Sequence, residues 1–259
     1  MTAAQQRITT ALNWVNDLRA SWHGGSFAVA ISPKRTASGG TLLISEPQLG
    51  YLYPTLLVEY EIHVGNRPIG QNDYDARGVS VPLLPVVGIG YTPHTAWALT
   101  TGYSKSVDSF IETTSTVGSS TLYRHNGTFK PMDCRNEVFN YRYSSNGVPV
   151  GGAAGSVTQK ICRTIHGPVV AQSGNLARSV TYNMWMKELQ NIEGVRGWNR
   201  AKSFEDFKTA NTRLTWNENV TFATRDGHIG FLHPGQAPVR SADSDQRFPN
   251  KGDGSQDFS

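Results

Sequence analysis

Gly24-Gly25-Ser26-Phe27-Ala28-Val29-Ala30-Ile31 is the stretch on which the reading of this chain turns. Two glycines ahead of a serine leave the backbone free to bend and open to close approach. Phe27 to Ile31 is apolar throughout and reads as a buried strand. Ser26 is therefore expected at the first residue of a core strand, directly after a bend. One reading makes it a nucleophile that becomes a new N-terminus when the Gly25–Ser26 bond breaks. The plainer reading is a Gly-Gly-Ser turn, which is common ahead of strands. Eight residues alone favour the turn, and the rest of the chain has to decide.

Upstream, residues 4–22 read as a helix. Ile8, Leu12, Val15, Leu18 and Trp22 repeat at helical spacing on one face, and Gly24-Gly25 ends the pattern. Downstream, strand follows strand. Their expected spans are 26–32, 41–45, 56–64, 86–90, 95–100, 108–115, 120–124, 135–143, 158–164, 168–172 and 179–184. Turn signals separate them at Ser38-Gly39-Gly40, Gly65-Asn66-Arg67-Pro68, His125-Asn126-Gly127 and Gly167-Pro168. A helix is expected over 186–198. Another starts at Ser203, whose hydroxyl can cap the first turn, with Asp206 placed for a capping box. Phe204, Phe207 and Ala210 give that helix its inner face. Asn219–Thr224 and His228–Leu232 then read as a hairpin across Arg225-Asp226-Gly227. From Ser241 the chain is polar and almost without apolar residues besides Phe248 and Phe258, which suggests a piece of a longer protein. No internal repeat and no linker between two domains is visible.

Bulk properties exclude several functions. The 259 residues are 17% charged with 26 glycines and 13 prolines, a globular and loop-rich composition. A net charge of +4 without a basic run argues against nucleic acid as a partner. No apolar stretch approaches the ~20 residues needed to span a membrane. The N-terminus is not a signal peptide, because Asn13, Asn16, Asp17 and Arg19 interrupt it. Cys134 and Cys162 sit in or beside strand-like segments. Paired antiparallel strands would bring them within bridging distance, and two buried free thiols are the alternative. No His or Cys pair has zinc-finger spacing, and His94, His166, His228 and His233 are dispersed.

Several blocks taken together carry a resemblance. They are Ser26-Phe27-Ala28-Val29, Thr36-Ala37-Ser38-Gly39 and Glu46-Pro47-Gln48-Leu49-Gly50, then Gly90 and Ala96-Trp97-Ala98-Leu99-Thr100-Thr101-Gly102. Arg163-Thr164-Ile165-His166-Gly167-Pro168, Asn219, Gly227-His228-Ile229-Gly230-Phe231 and Pro238-Val239-Arg240 follow. In order and near-spacing they resemble the β subunit of penicillin acylases (penicillin amidases). The resemblance implies an α+β fold, the αββα sandwich of antiparallel sheets typical of N-terminal-nucleophile hydrolases, incomplete in this chain. Residues 1–25 resemble the end of an α subunit and spacer, and 26–259 resemble part of a β subunit. The implied partners are an α subunit, the remainder of the β subunit and a small acyl amide substrate. The implied site is periplasmic or secreted.

The implied chemistry is amide hydrolysis by a serine released through self-cleavage at Gly25-Ser26. A free α-amino group has a pKa near ~7.7–8.0 and can act as the base for its own hydroxyl. By position, Ser26 corresponds to the nucleophile, Gln48 to the glutamine that places it, and Thr101 to the backbone N–H facing the oxyanion. Asn219 corresponds to the side-chain oxyanion donor and Arg240 to the arginine supporting it and the amino terminus. Leu49, Ile89, Leu99 and Tyr103 correspond to the acyl pocket. Family members often carry a structural calcium. Asp108 matches one ligand position, but Lys105 stands where another acid is expected, so no cofactor is expected here. Phe27 also departs from the asparagine common after the serine. Two other functions compete with the amidohydrolase: an unprocessed, inactive fragment that serves only in assembly, and a ligand-binding β-sandwich. The last leaves the ordered blocks unexplained.

Overall fold

A computed structural model describes residues 25–50, 53, 55–65, 73–141, 144–145, 148–149 and 155–258. The helix expected over 4–22, the bend at Gly24 and the turn residues 66–68 lie outside the described residues. In chain order the strands are β1 (Gly25–Ile31), β2 (Leu42–Gln48), β3 (Val58–Val64), β4 (Tyr74–Ser80), β5 (Ile89–Tyr91) and β6 (Thr95–Thr101). They continue with β7 (Val107–Val117), β8 (Ser120–His125), β9 (Thr128–Pro131), β10 (Asp133–Tyr141), β11 (Ser144–Ser145) and β12 (Val148–Pro149). Next come β13 (Gly155–Thr164), β14 (Gly167–Ser173) and β15 (Leu176–Tyr182), then helices α1 (Glu188–Arg200) and α2 (Phe204–Asn211). The last are β16 (Glu218–Thr224), β17 (Ile229–Leu232) and β18 (Asn250–Lys251).

The chain divides into two compact units, Met1–Ser104 with Met186–Gln236 and Lys105–Trp185 with Ala237–Ser259. The chain leaves the first unit at Ser104 and returns to it at Met186.

The first unit is built on a six-stranded antiparallel sheet ordered β17-β16-β6-β5-β4-β3. Its core is aromatic. Trp198 of α1 stacks on Phe207 of α2 at 5.6 Å, and Phe207 stacks on Phe222 of β16 at 4.4 Å. Phe207 and Ala210 are buried as the helical spacing of α2 demands. Buried Asn199 closes both its amide groups on the backbone of Val87, at 2.8 and 2.9 Å, so no polar atom of that pair is orphaned. Ser203 Oγ accepts the Asp206 N–H at 3.2 Å, the expected cap of α2.

β1 and β2 form their own antiparallel pair, with Gly25 opposite Gln48 and Ser26 opposite Pro47. The pair packs on β6 and β16. Thr41 Oγ1 ties its far end down by donating to the Thr224 carbonyl at 2.8 Å. β1 corrects one expectation. It is not buried throughout, since Phe27 and Val29 are 40% and 47% exposed. Successive side chains of a strand point to opposite faces, and a lone pair of strands packs only one of them.

The second unit carries strands in the order β10-β13-β14-β15-β7-β8-β9, with β18 running parallel to β7. Cys134 and Cys162 are directly opposed on β10 and β13 and form a disulfide. The polar stretch after Ser241 packs within this unit, where Asn250 and Gln256 are buried. Asp257 is held there by two histidines. His125 Nε2 and His166 Nε2 each meet one of its oxygens at 2.8 Å.

Candidate active site

Ser26 is the second residue of β1, which starts one residue earlier than expected. Its Oγ donates to the carbonyl oxygen of Gly25, the carbonyl of the bond that self-cleavage would break. The Gln48 side chain approaches the Cα of Gly25. A Cβ on Gly25 would stand 2.8 Å from Gln48 Oε1, so the glycine leaves room for that approach. The β1–β2 register alone delivers this, because it sets Gly25 against Gln48.

The other half comes from β6. Its pairing with β5 ends at Trp97 opposite Gly90, and β6 also packs against β1. A cavity of about 440 Å³ results, lined by Gly25, Ser26, Gln48, Leu49, Thr100, Thr101 and Tyr103. Five of the residues expected at the site from sequence therefore meet on one cavity. Leu99 is turned the other way and packs on the aromatic core. Ile89 lies on β5 and is not among the residues lining the cavity.

Asn219 sits opposite Thr100 in the β6–β16 ladder. Its Nδ2 donates to the Thr101 carbonyl at 3.1 Å. Its Oδ1 meets His233 Nδ1 at 2.8 Å, and His233 Nε2 meets Ser104 Oγ at 2.7 Å. Beside them the Gly102 N–H donates to Glu218 Oε2 at 3.1 Å. Burial pushes the Glu218 carboxyl up from its ordinary value, against the pull of that N–H and of Trp216.

His233, Ser104 and Glu218 are the residues that sequence reasoning passed over. A signal for His233 existed. The hairpin sets Val220 opposite Leu232, and one step further along that register is Asn219 opposite His233.

Arg240 belongs to the second unit. Its Nη2 donates to Asp108 Oδ2 at 2.8 Å and to the Lys105 carbonyl at 2.7 Å. The Lys105 ammonium lies 2.9 Å from Asp108 Oδ1 and donates to the Gln246 carbonyl at 2.6 Å. Burial by itself would raise the Asp108 carboxyl, but the bonds from Arg240 and Lys105 outweigh it and hold it below its usual range. With two cations on a single buried carboxylate, these residues do not fit a calcium ion, which needs several free oxygen ligands.

A second cluster invites the same test. His125, His166 and Asp257 place three ligand atoms within 4.8 Å. Each Asp257 oxygen already holds one imidazole, and His166 Nδ1 meets buried Glu112 at 2.8 Å. The Lys130 ammonium stands 3.2 Å from His125 Nδ1 and opposes a further cation. The ligand atoms of the cluster are already committed to one another and to Glu112 and Lys130.

Comparison with known proteins gives concordant results. The family model for penicillin amidase matches residues 1–258. Penicillin G acylase of Escherichia coli is 24% identical over 265 residues, covering 100% of this chain and 29% of that protein. Acyl-homoserine lactone acylase QuiP of Pseudomonas putida is 25% identical over 242 residues, covering 93% of this chain and 26% of that protein. The solved structure of thermostable penicillin G acylase from Alcaligenes faecalis superimposes with a TM-score of 0.75 at 26% identity, over 91% of this chain and 39% of that one. The chain thus spans less than a third of the length of these two curated relatives.

Proposed function

The chain belongs to the penicillin amidase family and has its N-terminal-nucleophile hydrolase fold; from that premise we propose that it is the nucleophile-bearing part of an enzyme hydrolysing N-acyl amides, with Ser26 as nucleophile. The observation that carries this reading is the convergence of Ser26, Gln48, Leu49, Thr101 and Tyr103 on one cavity, from segments far apart in sequence.

Activation begins when Ser26 Oγ attacks the Gly25 carbonyl carbon. The C–O bond forms, the C–N bond breaks and the hydroxyl proton passes to the nitrogen. Water then hydrolyses the ester, releasing the Gly25 carboxylate and restoring the Ser26 hydroxyl. The freed amine is the base for the second reaction. It takes the Oγ proton as Oγ attacks the substrate carbonyl, and it returns that proton to the departing amine. Water hydrolyses the acyl-serine in the same way. The transient oxyanion is stabilised by Asn219 Nδ2 and the Thr101 N–H, groups fixed on neighbouring strands at no reorganisation cost. Leu49 and Tyr103 take the acyl group. Its class is that of an apolar or aryl acyl chain on an amine such as a β-lactam nucleus, a homoserine lactone or a peptide.

The remainder of the enzyme, the α-subunit counterpart included, is supplied by sequence outside this chain. The disulfide favours an oxidising compartment outside the cytoplasm. The second unit works without a divalent cation at Asp108. Intact mass and N-terminal sequencing of the expressed protein, beside Ser26→Ala, test the reading. A new N-terminus at Ser26 in the wild type alone supports it. If both stay whole, the chain serves as an unprocessed assembly partner.

A further inference from the structure

We infer that His233 is a positioning residue of the proposed hydrolase. It orients the Asn219 amide so that one Nδ2 hydrogen is left for the oxyanion. The inference rests on the amidohydrolase reading above and adds to it a residue outside the expected site.

The argument is one of donors and acceptors. Asn219 Nδ2 faces the Thr101 carbonyl at 3.1 Å, and a carbonyl can only accept. That contact sets which end of the amide is nitrogen, so the atom facing His233 is Oδ1, also an acceptor only. His233 Nδ1, at 2.8 Å from it, must then carry the hydrogen. In a neutral imidazole this leaves Nε2 as an acceptor, and Ser104 Oγ fills it by donating at 2.7 Å. The chain Ser104 → His233 → Asn219 → Thr101 has every member bonded in one direction. Only the second Nδ2 hydrogen is left over.

The local backbone is shaped for this ring. A Cβ on Gly102 would lie 2.7 Å from His233 Cε1, 2.9 Å from the Asn217 carbonyl and 3.0 Å from Glu218 Cα. Glycine at 102 lets the imidazole and the backbone of Asn217 and Glu218 approach this closely. His233 directly follows β17, one step beyond the Val220–Leu232 pair, which brings it to Asn219. Without His233 the amide can rotate or flip, and its carbonyl oxygen would then face the developing negative charge.

An oxyanion donor acts in the transition state and little in the ground state, so the loss falls on kcat and leaves KM nearly unchanged. The test is steady-state kinetics on the processed enzyme containing this chain, with a chromogenic N-acyl amide as probe. His233→Ala is expected to lower kcat about tenfold or more, up to the roughly 10²–10³-fold loss of the donor itself. His233→Asn keeps a donor at the Nδ1 position and should recover most of that loss. In an Asn219→Ala background, His233→Ala should change kcat by less than twofold. Equal losses in both backgrounds, or a rise in KM with kcat unchanged, overturn the inference and leave the amidohydrolase reading standing. Wild-type enzyme without turnover overturns both.

Discussion

At Ser26 the chemistry is decided by which atoms a short side chain can reach. Its Oγ lies against the Gly25 carbonyl, while Gln48 approaches from the partner strand. Asn219 is one strand beyond β6, opposite Thr100 on β16, and is not among the residues lining the cavity. Asn219→Ala in the processed enzyme should cut kcat by about 10²–10³-fold with little change in KM, as expected for a lost oxyanion donor. An unchanged kcat would remove Asn219 from the mechanism. Tyr103 carries a different kind of information. It lines the cavity with φ at 52°, a left-handed conformation that costs an aromatic residue roughly 1–2 kcal/mol. Strain of this kind is retained where a site needs the side chain. Tyr103→Asn should therefore raise the melting temperature while raising KM for an aryl-acyl substrate. A drop in melting temperature would show that the tyrosine ring contributes more by packing than its backbone costs.

At the scale of elements, the hairpin β16–β17 and the helix α2 behave as their sequences foretell. Ser203 caps α2, and Ser203→Ala should cost about 1 kcal/mol in a denaturant titration of the whole chain. No change would mean that the stack of Phe207 between Trp198 and Phe222 holds the helix without its cap. β4 was missed because Asp75 and Arg77 interrupt any apolar run, yet Tyr74, Ala76 and Ser80 are its buried face. β4 is also drawn unusually close to β5 where Gly78 faces Gly90. At Gly78 a Cβ would come within 2.0 Å of the Ile89 carbonyl. β1 erred in the opposite direction. An unbroken apolar run signals burial on both faces, but one face of the β1–β2 pair is open, with Phe27, Val29, Leu42 and Ile44 exposed.

At the scale of the whole molecule, each unit has its own means of stability. In the second unit His166 lies between Glu112 and Asp257. Burial alone would lower the His166 pKa, but the bonds to these two carboxylates raise it above 6.5. Burial would raise the two carboxyls, but bonds from His166, Ser179 and Thr164 to Glu112 and from His125 and His166 to Asp257 outweigh it and lower them. A raised histidine stabilises fully below its ordinary value and loses that contribution as pH climbs through the higher folded value. Lowered carboxyls stabilise above their ordinary values and lose it as pH falls below them. Thermal stability should be highest between about pH 4.5 and 6.5, the ordinary values of Glu112 and His166, and fall on the alkaline side first by loss of the His166 proton. His166→Gln should flatten that alkaline limb, and a limb that persists would assign it elsewhere. Reduction of Cys134–Cys162 should cost about 2–5 kcal/mol in the same melts. A chelator should leave them unmoved, because Lys105 and Arg240 already neutralise Asp108. A fall in melting temperature with chelator would sink the metal-free reading.

The sequence by itself determined most of the strands from Ser26 on, though not β4, β9 or the short β11, β12 and β18, together with both helices, the cap of α2 and the hairpin that carries Asn219. It also held the blocks that identify the family. These are local patterns or ordered motifs, and neither needs the chain to be folded to be read. The pairing of Cys134 with Cys162 was one of two open readings until the register of β10 and β13 set them face to face. The cavity at Ser26, the inward turn of Leu99, the commitment of Arg240 and Lys105 to Asp108, and the orientation of Asn219 by His233 were decided only by tertiary structure. Each depends on which side of a strand faces which neighbour, and that is set by long-range pairing between segments that composition and spacing do not connect.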